Sequence, residues 1–411
     1  MTNLHPPSCR FCSAPLRHTF CDLWLSPLAN RNLRPDEVDG EKLYPLIARV
    51  CEECFLVQVD DSVPPEDIFS DYDYFSSFSA GWVAHAKRYS EDMRERFKLT
   101  PDSLVVEIAS NDGYLLRHFV EAGVPVLGVE PAANVAIDAE ACGVPTEVAF
   151  FGVETARRIA ARGRKADLMA ANNVLAHVPD TRDFVGGFAE LLAETGVATF
   201  EFPHLLNLIN QVQFDTIYHE HFFYLSLVAV EKIMASAGLR VFDVAELPTH
   251  GGSLRLFVCH ANASHGETQA VRELRAREHE HKLDRLDGYA GFAARVEAVK
   301  TSFVAFVEQA GREGKTIAAY GAAAKGNTFL NFCGVHHPAV AAVYDRNPAK
   351  QDKLTPGTHI PILSPDRIGD LNPDYLIILP WNIADEVRAS MAEIADWGGR
   401  FVTAVPTIRI Y

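Results

Sequence analysis

The segment Tyr218-His219-Glu220-His221 concentrates more proton-transfer groups than any other stretch of the chain. Neutral imidazole near pH 7 is the commonest general base, and an adjacent carboxylate or phenol orients it and stabilises the imidazolium. The two histidines are poor joint ligands for one metal ion, because residues two apart point to opposite faces of a strand and lie about 200° apart on a helix. Metal chemistry belongs elsewhere. Cys9-Arg-Phe-Cys12 and Cys51-Glu-Glu-Cys54 offer four thiolates in the pairwise spacing that tetrahedral zinc accepts, and four protein ligands leave no open position for water. Such a site is structural, and its long internal interval requires a strand pair or an extended loop to bring the two pairs together. Cys21 reads as a packing thiol.

The groups need a scaffold. Residues 104–130, LVVEIASNDGYLLRHFVEAGVPVLGVE, read as strand, loop, helix from about Tyr114, and strand. Glu107 precedes the loop and Glu130 ends the second strand, at the spacing by which a Rossmann-type unit places a carboxylate on ribose hydroxyls. Ser110, Asn111, Asp112 and Gly113 replace the G-x-G-x-x-G pattern, and Asp112 would repel a diphosphate. A ligand with a ribose and a cationic or zwitterionic tail suits this loop, and S-adenosylmethionine is such a ligand.

Further strands are expected at residues 167–172 and 197–202, and their alternation with helices implies a doubly wound parallel sheet whose ligands bind at the carboxyl ends of the strands. Asn172-Asn173-Val-Leu-Ala-His177 and Glu201-Phe-Pro-His204 land there. His250-Gly-Gly-Ser-Leu-Arg255 reads as a loop feeding an edge strand. Residues 267–309 are charged and helical, with Phe292, Val296, Val299, Phe303 and Phe306 forming an apolar stripe that packs between two domains. Residues 64–79, rich in aromatics and serine and including Tyr72, Tyr74 and Phe75, read either as a lid over a ligand or as a connector packed by its rings.

A second Rossmann-like unit follows, with strands at residues 316–320, 341–344, 375–379 and 400–405. The turn Gly321-Ala-Ala-Ala-Lys325-Gly-Asn327 lets a ligand approach the backbone, and the helix N-terminus with Lys325 would attract phosphate. Asp345 ends the second strand, and Pro380-Trp381-Asn382 follows the third.

Bulk properties bound the function. The 411 residues suffice for two or three domains at roughly 150 residues each. With 48% hydrophobic and 22% charged residues the cores should be of ordinary size. A net charge of −16 argues against a general binder of nucleic acid or membrane surfaces. No apolar run reaches membrane-spanning length and the start, MTNLHPPSCRFC, lacks the features of a signal peptide, so the expected location is the cytoplasm. Eight cysteines then point to metal binding or buried thiols before disulfides.

Taken together, CRFC with CEEC, YDYFSS, EIASNDG, NNVLAHVPD, YHEHFFYLS, HGGSLR, YGAAAKGNTFLNFCG, YDRNPAKQDKLTPGTHIPI and LPWN occur in an order that resembles the zinc-containing, S-adenosylmethionine-dependent sugar C-methyltransferases that build branched deoxysugars on nucleotide carriers. The resemblance covers nearly the whole chain. It implies an α/β protein with a zinc-binding module at residues 1–70, a Rossmann-like class I methyltransferase domain at 71–262, and a helical linker with a second Rossmann-like domain at 263–411 for the nucleotide of a dTDP-4-ketosugar. Catalytic roles carry over onto Tyr72, His177, Tyr218, Glu220 and His221, with deprotonation beside the ketone at C3 and methylation of that carbon. In that scheme His221 is the base, Glu220 or Tyr218 orients it, and His177 and Tyr72 hold the ketone oxygen or nearby hydroxyls. Lys325, Asn327, Asn331, Asp345, Trp381 and Asn382 are the expected contacts to the acceptor. Some relatives carry Asp where this chain has His219, so the electrostatics around the base differ. The implied partner is a nucleotide sugar, and the chain is expected to act as a monomer. Two other classes were weighed: an NAD-dependent nucleotide-sugar oxidoreductase or epimerase, disfavoured because both turns lack G-x-G-x-x-G, and a zinc-ribbon protein recruiting nucleic acid, disfavoured by the acidic balance.

Overall fold

The computed structural model describes residues 7–60, 63, 76–78 and 80–411. Tyr72, Tyr74 and Phe75, the expected lid, lie outside the described residues. Three sheets organise the remainder. In the first, β1 (His18–Ser26) pairs antiparallel with β2 (Tyr44–Val50), and β2 with β3 (Val57–Val59). Because His18 sits opposite Val50, the knuckle before β1 and the knuckle after β2 meet at one end of this pair. The sheet's fourth strand, Phe223–Tyr224, comes from far along the chain.

The second sheet is built on β4 (Val105–Ile108), β5 (Val126–Val129), β6 (Thr146–Glu147), β7 (Ala166–Asn172) and β8 (Leu192–Pro203), all parallel. Numbering Phe223–Tyr224 as β9, the sheet is completed by β10 (Leu239–Leu247) and β11 (Ser253–His260), giving the order β10-β11-β8-β7-β4-β5-β6. β11 is antiparallel to both neighbours and lies inside the sheet, so the expected edge position of residues 253–260 is corrected: β10 takes the edge. All seven residues from Ser253 to Cys259 are buried, which an edge strand with one wet face would not show. The first α-helix among the described residues, α1 (Ala80–Phe97), covers this sheet, and α2 (Leu116–Glu121) starts two residues later than Tyr114.

The charged segment is two helices rather than one, α3 (Gln269–Glu280) and α4 (Phe292–Arg312), broken by turns. On α4 the buried stripe is Phe292, Val296, Val299, Phe303 and Val307, with Phe306 only half-buried. Phe292 stacks on Phe20 of β1 at 4.4 Å, while Phe303 meets Phe329 of α5 (Ala324–Cys333) edge-on at 4.6 Å. The helix therefore joins the first sheet to the third. That third sheet has the order β14-β13-β12-β15-β16-β17, from β12 (Ile317–Tyr320), β13 (Val343–Tyr344), β14 (Ile362–Leu363), β15 (Tyr375–Ile378), β16 (Arg400–Thr403) and β17 (Arg409–Ile410), parallel except for the last. Strand order reverses at β12, which opens a crevice beside the Gly321 turn.

Candidate active site

The carboxyl ends of β4, β5 and β7 form the first crevice. Gly113 is needed there, since its φ is +76° and an added Cβ would press on Val144 at 3.1 Å and Ala139 at 3.3 Å. The Glu130 carboxylate accepts from the backbone N–H of Asn111 and of Ala132, both at 2.9 Å, and so shapes the loop while keeping lone pairs on its outer side. Asn111 and Asp112 accept from the N–H groups of Ser76 and Ser77 at 2.9 and 3.0 Å. Glu107 is fully buried, and burial pushes its carboxyl well above the usual range while Tyr114 hydrogen-bonds it. Side-chain oxygens of Glu107, Ser110, Asp112, Asn172 and Asn173 are buried with no partner among the described residues. A crevice rich in unmet acceptors calls for a ligand rich in donors, and the ribose hydroxyls and ammonium of S-adenosylmethionine meet that need.

Next to it lies the histidine cluster. Tyr218 Oη and His221 Nε2 are 2.6 Å apart, and the His177 and His221 rings meet edge-on with centroids 4.5 Å apart. His177 Nδ1 donates to the backbone oxygen of Glu220 at 2.7 Å, so the neutral ring keeps Nε2 as an acceptor. The expected partner of His177 was the ketone oxygen or a nearby sugar hydroxyl, and of these two an acceptor nitrogen suits the hydroxyl. Burial lowers the pKa of His177, and it lowers that of His221 well below 6.5, with the neighbouring charges of His177, His250 and Lys325 adding to the effect.

The other half of the motif faces away. His219 donates to the Pro45 carbonyl at 3.2 Å, with burial pushing its pKa down to about 4, and the Glu220 carboxylate accepts from Asn30 at 3.2 Å. Glu220 therefore orients His177 through its backbone, and its side chain does not orient His221. Among the described residues the grouping fit to hold a metal ion is Cys9, Cys12, Cys51 and Cys54, whose sulfurs lie within 4.8 Å of one another. Gln58 donates to Cys9 Sγ at 3.2 Å, an outer hydrogen bond that fits a thiolate ligand. These four residues fit zinc. Cys21 is a buried thiol as expected, pushed up to about 12 by burial.

Several pairings at the site carried no sequence signal. Glu201, with no exposed surface, binds Arg255 at 3.0 Å and His85 at 3.1 Å, and these partners outweigh burial to keep its pKa low. Trp82 stacks on His85 at 4.9 Å and meets His250 edge-on at 5.4 Å. His250 has φ +54° and is pushed by burial down to about 4. Partners so far apart in sequence leave no local pattern. His204, by contrast, is a structural clamp: it bonds the buried Glu278 at 2.7 Å, which also accepts from the N–H groups of Leu227 and Val228.

In the second crevice Lys325 Nζ donates to Asn382 Oδ1 at 2.7 Å, and Trp381 Nε1 donates to Asp215 Oδ2 at 2.7 Å. Three expected acceptor contacts are corrected. Asn327 donates to the Ala29 carbonyl at 2.8 Å and Asn331 to those of Asn327 and Pro356, so both tie the N-terminal segment and a neighbouring loop to α5. Asp345 accepts from Ala322 and Asn347 N–H groups, both at 2.8 Å, and so braces the Gly321 turn itself.

Comparison with known proteins adds three family matches: a domain described as "Putative zinc binding domain" at residues 9–69, "Methyltransferase domain" at 82–244, and "C-methyltransferase C-terminal domain" at 248–406. The chain is similar to the C-methyltransferase NovU of Streptomyces niveus, 37% identical over 404 residues that cover 98% of this chain and 96% of the relative. Among solved structures it is similar to an S-adenosylmethionine-dependent methyltransferase from Clostridium acetobutylicum, with 12% identity, 48% of this chain and 96% of that chain covered, and a TM-score of 0.35. Magnesium protoporphyrin IX methyltransferase from Synechocystis with bound SAH gives 15% identity, 44% and 84% coverage, and a TM-score of 0.35. No described helix is long and apolar enough to cross a membrane.

Proposed function

This chain belongs to the C-methyltransferase family, an S-adenosylmethionine-dependent enzyme with a zinc-binding N-terminal part, and on that premise we propose that it methylates the carbon beside the ketone, C3, of a nucleotide-linked 4-keto-deoxysugar, with dTDP as the carrier. The observation that carries this reading is the Tyr218–His221–His177 cluster. A carbon acid beside a ketone needs a neutral base, and burial keeps His221 neutral at pH 7.

When bound, S-adenosylmethionine supplies an electrophilic methyl group. Glu107, Ser110, Asn111, Asp112, Gly113, Glu130, Asn172 and Asn173 hold it. His221 is the base: its Nε2 lone pair is held at rest by the Tyr218 hydroxyl, which turns from it to the bound sugar and frees that lone pair for the C–H proton. His177, fixed by the Glu220 carbonyl, accepts from a sugar hydroxyl. Tyr72 remains a proposed contact to the sugar. Residues 1–70 hold zinc, 71–262 the donor, and 263–411 the nucleotide, with Trp381 and Asn382 at the acceptor.

The test is solvent exchange in deuterated water with dTDP-4-keto-6-deoxyglucose and S-adenosylhomocysteine. Wild-type enzyme is expected to exchange the hydrogen beside the ketone, and His221→Asn to abolish both exchange and methylation with donor affinity intact. Normal exchange in His221→Asn would remove His221 from the role of base.

A further inference from the structure

We infer that Lys325 is a catalytic residue delivered by the C-terminal domain, whose ammonium donates to the ketone oxygen of the acceptor and holds the negative charge formed there on deprotonation. The inference rests on the reading of His221 as base given above, and it replaces the expected attraction of Lys325 for phosphate.

Lys325 lies in the first turn of α5, half-buried, with its Nζ 4.9 Å from the centre of the Trp381 ring. An ammonium has three donors, and among the described residues Asn382 takes one, which leaves two for a ligand. The ring beneath it reaches into the methyltransferase domain at two points. A Cβ on Gly251 would stand 2.4 Å from Trp381, so no side chain separates the ring from the residue after His250. Trp381 Nε1 also holds Asp215, the neighbour of Thr216, whose backbone carbonyl hydrogen-bonds the His221 ring. Phe214 packs on Phe329 and Phe332 of α5 at 5.9 and 5.3 Å, locking the helix to the same turn.

Lys325 therefore faces the two loops that carry His221 and His250. Its charge weakens the hold of both rings on a proton, while burial lowers its own pKa and Asp215 opposes that. Other titratable groups around His221 are His177, Tyr218 and Tyr224, which carry no positive charge when neutral. Arg255, a buried cation nearby, has its charge offset by the Glu201 carboxylate at 3.0 Å.

The chemistry needs such a cation. As the proton passes from carbon to His221, the C–H electron pair becomes the C=C bond and the C=O π pair moves onto oxygen. That oxygen is stabilised most by donors already in place when the charge forms. When the new C–C bond forms, the pair returns from oxygen through carbon, and the sulfur of the donor keeps the pair of the broken C–S bond.

The experiment compares full-length wild type, Lys325→Met and Lys325→Arg. Exchange of dTDP-4-keto-6-deoxyglucose should fall by about 100-fold or more in Lys325→Met, the usual loss for one oxyanion donor, and recover partly in Lys325→Arg. Affinity for dTDP, measured by calorimetry, should stay within about twofold, because the ammonium is assigned to the ketone and not to phosphate. In 15N-histidine NMR titrations, Lys325→Met should raise the pKa of His221, identified by the signal lost in His221→Asn. Wild-type exchange in Lys325→Met, or lost dTDP affinity with exchange preserved at saturating sugar, would overturn the inference. Should wild type exchange no ketosugar, the acceptor reading fails by itself, and the titration then decides: an unmoved His221 pKa overturns the placement of Lys325, a raised one supports it.

Discussion

Val57 on β3 pairs with Tyr224 on β9, so the sheet carrying the four cysteines ends on the strand that follows His221 almost directly. Asn30 on Glu220 and Pro45 on His219 add two side-chain contacts between the same partners. The zinc-binding part thus braces the loop that carries His221, the proposed base.

Zinc removal is the first consequence. One zinc per chain is expected by elemental analysis, and Cys51→Ser should lower folding yield, because losing one of four buried or part-buried ligands removes the metal's contribution to folding. In the fraction that folds, ketosugar exchange should suffer more than S-adenosylmethionine affinity, since β3 touches the catalytic loop and not the donor crevice. Full exchange activity in zinc-free protein would show that the brace is dispensable.

Donor affinity tests Glu130. Its carboxylate holds two backbone N–H groups and faces the crevice, so Glu130→Ala should weaken S-adenosylmethionine binding by roughly 1–3 kcal/mol, the range for losing a charged hydrogen-bond partner. Calorimetry with dTDP should show little change. Unaltered donor affinity would place the ribose carboxylate elsewhere.

Tyr218 and His177 separate positioning from proton removal. Tyr218→Phe should slow exchange without abolishing it, because the phenol only orients the His221 ring until the sugar binds, and the imidazole then takes the proton. Complete loss of exchange would make the phenol the group that meets the C–H bond. His177→Asn should reduce exchange and methylation together, less severely than His221→Asn.

Acid sensitivity follows from the buried histidines. His219 and His250 are held neutral by burial with pKa values of about 4, below the unfolded value near 6.5. The unfolded chain therefore binds more protons between these limits, and stability that is full above pH 6.5 is lost as pH falls toward 4. Each ring contributes on the order of 3 kcal/mol to that loss. Urea midpoints measured from pH 7 to pH 4.5 should show the decline, and His219→Gln should flatten it; an unchanged slope would mean that His219 titrates normally. Exchange activity, resting on neutral His221, should stay level through pH 6.5 and drop only in more acid solution.

The sequence by itself determined what short spacing can encode. The two C-x-x-C pairs, the β4 loop with Glu107 and Glu130, the strands ending at Asn172 and Asp345, and the apolar stripe of α4 all depend on residues a few positions apart, so periodicity and turn chemistry display them. Even the cluster Tyr218-His219-Glu220-His221 was visible as a concentration of groups. Only the tertiary structure decided how that cluster divides, with His219 and Glu220 turned to the N-terminal sheet and Tyr218 and His221 to His177. It also tied Asn327 to Ala29 and Asn331 to Pro356, moved β11 to the sheet interior, and set Trp381, on which Lys325 lies, against Asp215. Side-chain direction in a turn or on a helix depends on which distant backbone or side-chain group supplies the hydrogen-bond partner. Pro45, Asn30, Ala29 and Trp381 are such partners, and each is more than 150 residues from the group it meets.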